Sequence, residues 1–257
     1  MRIGTAVPSE QDLQLIQHHF IHSHSIKQPL TVADYEKVAI DKIIQLFASH
    51  KVLILCGGSG LFIKAVINGL DEMPDANPII RKKWEEELQN KSIEFLAQQL
   101  QLLDAEYAKE VDVKNPRRLI RALEVIESSG QTFTALRKNK QANRPFNSLH
   151  FSLELPRNEL YERINKRVDE MVKEGLEKEA EALLPYKHYT ALQTVGYTEF
   201  FDFFEGKNPR EKAIELIKQH SRNYAKRQIT WFKNSGNAQF ISPNDLSKCI
   251  QLINQAL

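Results

Sequence analysis

Asn115-Pro116-Arg117-Arg118-Leu119-Ile120-Arg121 places three arginines just after a proline suited to the first turn of a helix. Arg117 and Arg121 share a helix face at i,i+4, with Arg118 beside them. The helix dipole disfavours cations at that end. The cluster therefore calls for an external anion or for carboxylates of its own, and guanidinium forks match phosphate oxygens. Ser221 to Lys233 is a second such run, in which basic residues alternate with Tyr224, Trp231 and Phe232. Helical spacing groups Arg222, Lys226 and Lys233 on one broad face. It groups Tyr224, Gln228 and Trp231 on another, expected to pack on the core. Cations beside aromatics suit phosphate tracking and base stacking; an amphipathic helix with snorkelling lysines has the same pattern.

Gly57-Gly58-Ser59-Gly60 lies between an apolar run and a helix-forming one. Glycines there let a ligand approach the backbone, and a helix N-terminus favours anions. Lys64 does not adjoin the last glycine, so this is no Walker A loop, and a tight turn without a ligand fits equally well. His18, His19, His22 and His24 are four of the eight histidines. Such a cluster can hold zinc or nickel, but neither cysteine is near and Asp12 is the closest acid, so hydrogen-bonded or solvated imidazoles are expected and no metal site is assigned. No nucleophilic triad stands out.

Of 257 residues, 42% are hydrophobic and 26% charged, an ordinary composition for a folded chain. Net charge is only +2. Yet residues 109–144 hold nine basic and four acidic residues, and 207–233 hold eight and two. Two basic segments in a near-neutral chain fit a polyanion surface, or two solvated helix faces. The longest apolar run, Val52 to Cys56, is far too short to cross a bilayer. No leader follows Met1-Arg2, and Cys56 and Cys249 match no metal or redox spacing, so a cytoplasmic location is expected.

These residues need elements to hold them. Residues 1–30 read as loop-rich, and Thr31 caps a helix that runs past Ile44. Val52 to Cys56 reads as a strand buried on both faces, followed by the glycine turn and a helix ending near Gly69. From Pro74 to about Leu136 only helical periods appear: Ile80 to Leu88, Ile93 to Leu103, and Pro116 to Ser128 closed by Gly130. Leu149 to Leu155 alternates as a strand. One long helix is expected over 157–184 and another from about Arg210 to Phe232, then a short strand at Gln239 to Ile241 and a last helix.

The ordered set of motifs resembles the tRNA dimethylallyltransferase (tRNA isopentenyltransferase) family. The matching pieces are Met1 to Ser9, His18 to Ile21, Thr31 to Tyr35, Gly57 to Phe62, Asn115 to Glu124, Val195-Gly196-Tyr197 and Ala225 to Phe232, covering residues 1 to about 233. The resemblance implies an α/β fold: a P-loop NTPase-like parallel-sheet core, N-terminally truncated, with a helical insertion domain. Residues 1–73 would be the first part of the core, 74–146 the insertion, and 147–257 the return strand and C-terminal helices. It implies transfer of a dimethylallyl group from dimethylallyl diphosphate to N6 of the adenosine adjacent to the anticodon, with Mg2+. The partners would be the tRNA anticodon stem-loop and dimethylallyl diphosphate, with no membrane and a monomeric enzyme. Ser59 stands where the family orients the target adenine. Arg81, with Arg117, Arg118, Leu119, Ile120 and Arg121, matches positions that touch tRNA. Lys218, Gln219, His220, Ser221, Arg222 and Asn223 match a second such stretch, with Lys226, Arg227 and Gln228 as secondary contacts.

The departures from the family are equally definite. Its phosphate loop, G-P-T-x-x-G-K-[ST], and its acidic D-S-x-Q-x-Y segment with the general base are not found, and His22 stands at a usual Asp position. A late start codon or a truncated product is expected, inactive on its own. Two other readings remain: a non-catalytic tRNA-binding relative, and an adenylate isopentenyltransferase acting on the free nucleotide.

Overall fold

The computed structural model describes residues 1–139, 141–235 and 238–257; Lys140 of the first basic segment lies outside them, as do Gly236 and Asn237. The fold is α/β, mostly helical with a small parallel sheet. The chain forms two compact units, 64–145 and 1–63 with 146–257.

The unit 64–145 is helical. It holds α4 (Pro78–Asn90), α5 (Ile93–Leu103), α6 (Ala105–Glu110), α7 (Pro116–Ser129) and α8 (Phe133–Leu136). Polar side chains set each start. Asn77 and Asn115 cap α4 and α7, each just before a proline, while Ser92, Asp104 and Thr132 cap the others. Gly130, at φ 67°, ends α7 in the left-handed region. Trp84, Leu96, Leu100, Leu119, Leu123 and Ile126 meet in its core. Asp104 is buried but satisfied: it accepts from Tyr107 N at 3.1 Å, and from Thr134 N and Oγ1 at 2.8 Å each. Burial alone would raise its carboxyl, but these bonds outweigh that and hold it below the usual carboxylate range.

The second unit holds α1 (Glu10–Leu15), α2 (Val32–Phe47), the first turn of α3 (Gly60–Asn68), β1 (Phe151–Leu153), α9 (Arg157–Glu174), α10 (Leu176–Leu183), α11 (Thr198–Phe204), α12 (Arg210–Asn234), β2 (Gln239–Ile241) and α13 (Leu246–Ala256). β1 and β2 pair in parallel, Ser152 opposite Phe240. Val168, Leu176, Leu192, Tyr197, Phe200, Phe201 and Ile217 form the core between the helices. The N-terminal turn is tied to it by Glu179. That carboxylate accepts from the backbone N–H groups of Arg2, Ile3 and Gly4 at 2.8–3.1 Å and from Tyr197 Oη at 2.6 Å. Desolvation alone would raise Glu179, but these donors win and hold it low; burial and the same carboxylate push the Tyr197 phenol far up.

Several expectations are corrected. Val52 to Cys56 forms no strand, and Ile54 is 86% exposed. A strand needs a ladder partner, and no described residue pairs with this segment. The helix expected over 157–184 breaks at Gly175 (φ 106°) into α9 and α10. Loop-rich 1–30 contains α1, nucleated by a Ser9–Asp12 capping box. α6, α8 and α11 are too short to show a helical period of their own.

Candidate nucleic-acid interface

In the unit 64–145 the arginine run begins α7. Asn115 Oδ1 accepts from Arg118 N at 3.3 Å and so aligns the first turn. Leu119 and Ile120, expected within the tRNA-contacting segment, have their side chains buried in the core. Arg121 turns inward: Nη2 donates to Pro74 O at 2.7 Å, and Nη1 lies 3.3 Å from Glu124 Oε2. Arg81 reaches the same oxygen at 2.7 Å, and Asn77 N donates to Oε1 at 2.6 Å. Glu124 is fully buried, so one carboxylate answers two guanidiniums. Arg81 and Arg121 remain half-exposed around it. Arg117 and Arg118 are exposed and have no ion-pair partner among the described residues.

Glu124 escaped the sequence reading. The signal was there: a lone acid i+3 from Arg121 inside the apolar run Leu119 to Ile126. It supplies the carboxylate that arginines placed against a helix dipole require.

In the other unit the second basic stretch lies on α12. Lys218 Nζ pairs with Asp169 at 2.7 Å, and Arg222 Nη1 donates to Asn165 Oδ1 at 2.6 Å, both partners on α9. His220 Nδ1 lies 2.6 Å from Oε1 of Glu199, which is buried on α11 and also accepts from Gly196 N and Thr198 Oγ1. Gln219 and Asn223 are exposed, Ser221 is half-buried, and Lys226 and Arg227 continue the exposed side. Tyr224 is 44% exposed with Arg227 over its ring, not packed on the core as expected.

The glycine turn meets this helix. Gln228 Nε2 donates to Gly58 O at 2.8 Å. A Cβ on Gly60 would lie 2.3 Å from the Trp231 ring, and one on Gly58 would lie 2.0 Å from Gln228 Nε2. The close approach that these two glycines permit is therefore made by α12 side chains. Ser59 is exposed. Its carbonyl accepts from Phe62 N at 3.0 Å to start α3, and its hydroxyl has no partner among the described residues.

Of the clustered histidines, His18 Nδ1 bonds to Ile16 O, His22 Nε2 to Met1 O and His24 Nδ1 to Ser23 Oγ, each at 2.8 Å. Among the described residues no three His, Cys, Asp or Glu side chains converge as a metal site. No helix among the described residues is long and apolar enough to cross a membrane.

Comparison with known proteins places this geometry in context. A family model described as IPP transferase matches residues 1–235. The chain is 45% identical over 250 residues to a tRNA dimethylallyltransferase of Christiangramia forsetii, covering 97% of this chain and 83% of that one. It is 43% identical to the enzyme of the same name from Flavobacterium psychrophilum, covering 99% and 85%. Among solved structures, it is similar to the full-length tRNA isopentenylpyrophosphate transferase of Bacillus halodurans (32% identity, TM-score 0.66, 98% of this chain and 81% of that one). It also shares the fold of a eukaryotic dimethylallyltransferase described as acting on tRNA (22% identity, TM-score 0.77, 95% and 64%).

Proposed function

The chain belongs to the IPP transferase family, and on that premise we propose that it transfers a dimethylallyl group from dimethylallyl diphosphate to N6 of the adenosine adjacent to the anticodon in tRNA. The match across residues 1–235 carries this reading. Adenine N6 is a weak nucleophile, because its lone pair is delocalised into the ring. Prenylation therefore requires a held base, a group to take its proton and charge to bear the departing diphosphate. The target base lies in a loop and must be turned out of its stack.

Ser59 is the candidate to orient the adenine. Its hydroxyl is exposed, unpartnered and fixed at the start of α3. Arg117 and Arg118 bind backbone phosphates, and Arg81 and Arg121 add positive charge held in place by Glu124. On α12, the exposed Gln219 and Asn223 face RNA, beside Lys218, His220, Ser221 and Arg222, with Lys226, Arg227 and Gln228 following. The unit carrying β1 and β2 is read as a P-loop-type core. When bound, Mg2+ would share the charge of the departing diphosphate.

A direct test offers the purified chain labelled dimethylallyl diphosphate with either unmodified tRNA or free AMP. Label on tRNA supports the reading. Label on AMP alone replaces it with nucleotide prenylation. Label on neither, with salt-dependent tRNA binding intact, replaces it with a binding-only relative.

A further inference from the structure

Beyond Arg222, α12 continues into a groove of about 690 Å³ whose other walls are the start of α9 and the segments just after β1 and within β2. Its volume is in the range of small-ligand pockets. Leucine, isoleucine and proline side chains line its floor, while Arg157, Lys226 and Lys233 stand against one carboxylate, Glu154. Lys233 is neutralised by Glu154 at 3.0 Å and lies 5.5 Å from the Phe240 ring. The other two cations are not neutralised. Lys226 is exposed and has no ion pair among the described residues. Arg157 donates from Nε to Tyr161 Oη at 3.1 Å with its guanidinium 5.1 Å from the ring, and its Nη atoms have no partner there. The Arg222 guanidinium lies 6.0 Å from the same ring.

We infer that this groove holds one nucleotide of the RNA strand that tracks α12, its phosphate taken by Lys226 and Arg157 and its base against Tyr161 or Phe240. Two unpaired cations beside aromatic walls match a phosphate joined to a planar ring, and Arg157 is already oriented by Tyr161. A free mononucleotide has the same chemistry. The strand is favoured because the exposed Asn223, Lys226 and Arg227 lead along α12 to the groove. The inference rests on the tRNA reading and extends the contact surface to residues that reading does not include: Arg157, Tyr161 and Phe240.

The test uses the 257-residue chain with a fluorescent anticodon stem-loop RNA. The double variant Arg157→Gln with Lys226→Gln should bind about tenfold more weakly, its salt slope reduced by about one to two, as expected for two lost phosphate contacts. Lys248→Gln, an exposed lysine on α13, should leave binding unchanged. RNA carrying thiouridine should cross-link to peptides spanning 157–161 or 226–242. Unchanged affinity and slope in a folded double variant overturn the inference, as do cross-links confined to other peptides. AMP that blocks those cross-links at concentrations where RNA cannot compete overturns the choice of strand over free nucleotide. If Arg117→Glu with Arg118→Glu weakens RNA binding while the groove variant does not, the groove alone fails. Absence of RNA binding by the unaltered chain overturns both the groove and the tRNA reading.

Discussion

Glu124 and Glu199 are buried carboxylates, Glu124 beneath Arg81 and Arg121 and Glu199 beneath His220. Each spends its capacity on backbone amides or hydroxyls as well as on side chains, which fixes the side chain above it. Burying such a charge is costly, and removing one partner leaves the rest unpaired. Glu124→Gln should therefore destabilise the protein by about 3 kcal/mol, measured as a lower urea midpoint at unchanged slope. Charge reversal at the exposed Arg117 and Arg118 tests the surface itself. That variant should keep its stability and lose about two from the slope of log affinity against log salt for tRNA; an unchanged slope removes the surface from the account. Arg121→Glu is the poorer test, because it would set a second carboxylate on Glu124. Glu179 gives a pH prediction. Its folded pKa is depressed by Tyr197 and the three N-terminal amides, so its stabilisation is full above the ordinary carboxylate pKa and fades as pH falls through the lower folded value. Glu179→Gln should flatten the loss of stability between neutral and acid pH, seen in urea midpoints across that range.

At the scale of elements, caps and period carried the most information. Ile93–Leu103 and Gln239–Ile241 have the bounds read from the sequence, and Pro116–Ser129 ends at the glycine that was expected to end it. These segments bring their own signals: a capping side chain, a first-turn proline, a left-handed glycine. Gly175 was legible in principle, but the apolar spacing on either side of it masked the break. Val52 to Cys56 failed for a different reason, since an apolar run states burial only when a partner strand exists. In the candidate site, the cations were legible from counting and most partners that aim them were not: Asp169, Asn165 and Glu199 are brought in by packing, whereas Glu124 stands i+3 from Arg121 on the same helix. The glycine turn shows the same limit. Spacing alone could not say that Trp231 and Gln228 occupy the room that Gly60 and Gly58 leave. Gly60→Ala should cost about 1–3 kcal/mol through overpacking against the indole, and Gly58→Ala less, because Gln228 is a flexible chain that can swing aside; equal thermal shifts for the two variants would contradict this.

At the scale of the molecule, a net charge of +2 conceals two basic stretches, one in each compact unit. Each stretch starts from, or runs along, a helix whose buried side is anchored in that unit's own core. The pattern gives these cations a rigid base without making the whole chain strongly basic. Under the proposed function, cations of each stretch contact the tRNA whose adenosine is prenylated. The most direct measurement is single-turnover transfer, with the chain in excess over unmodified tRNA, labelled dimethylallyl diphosphate and Mg2+, followed by digestion to nucleosides. The account predicts label in N6-substituted adenosine from the position next to the anticodon, accumulating slowly but above a control without protein. No label above that control, or label at another nucleoside, would contradict it.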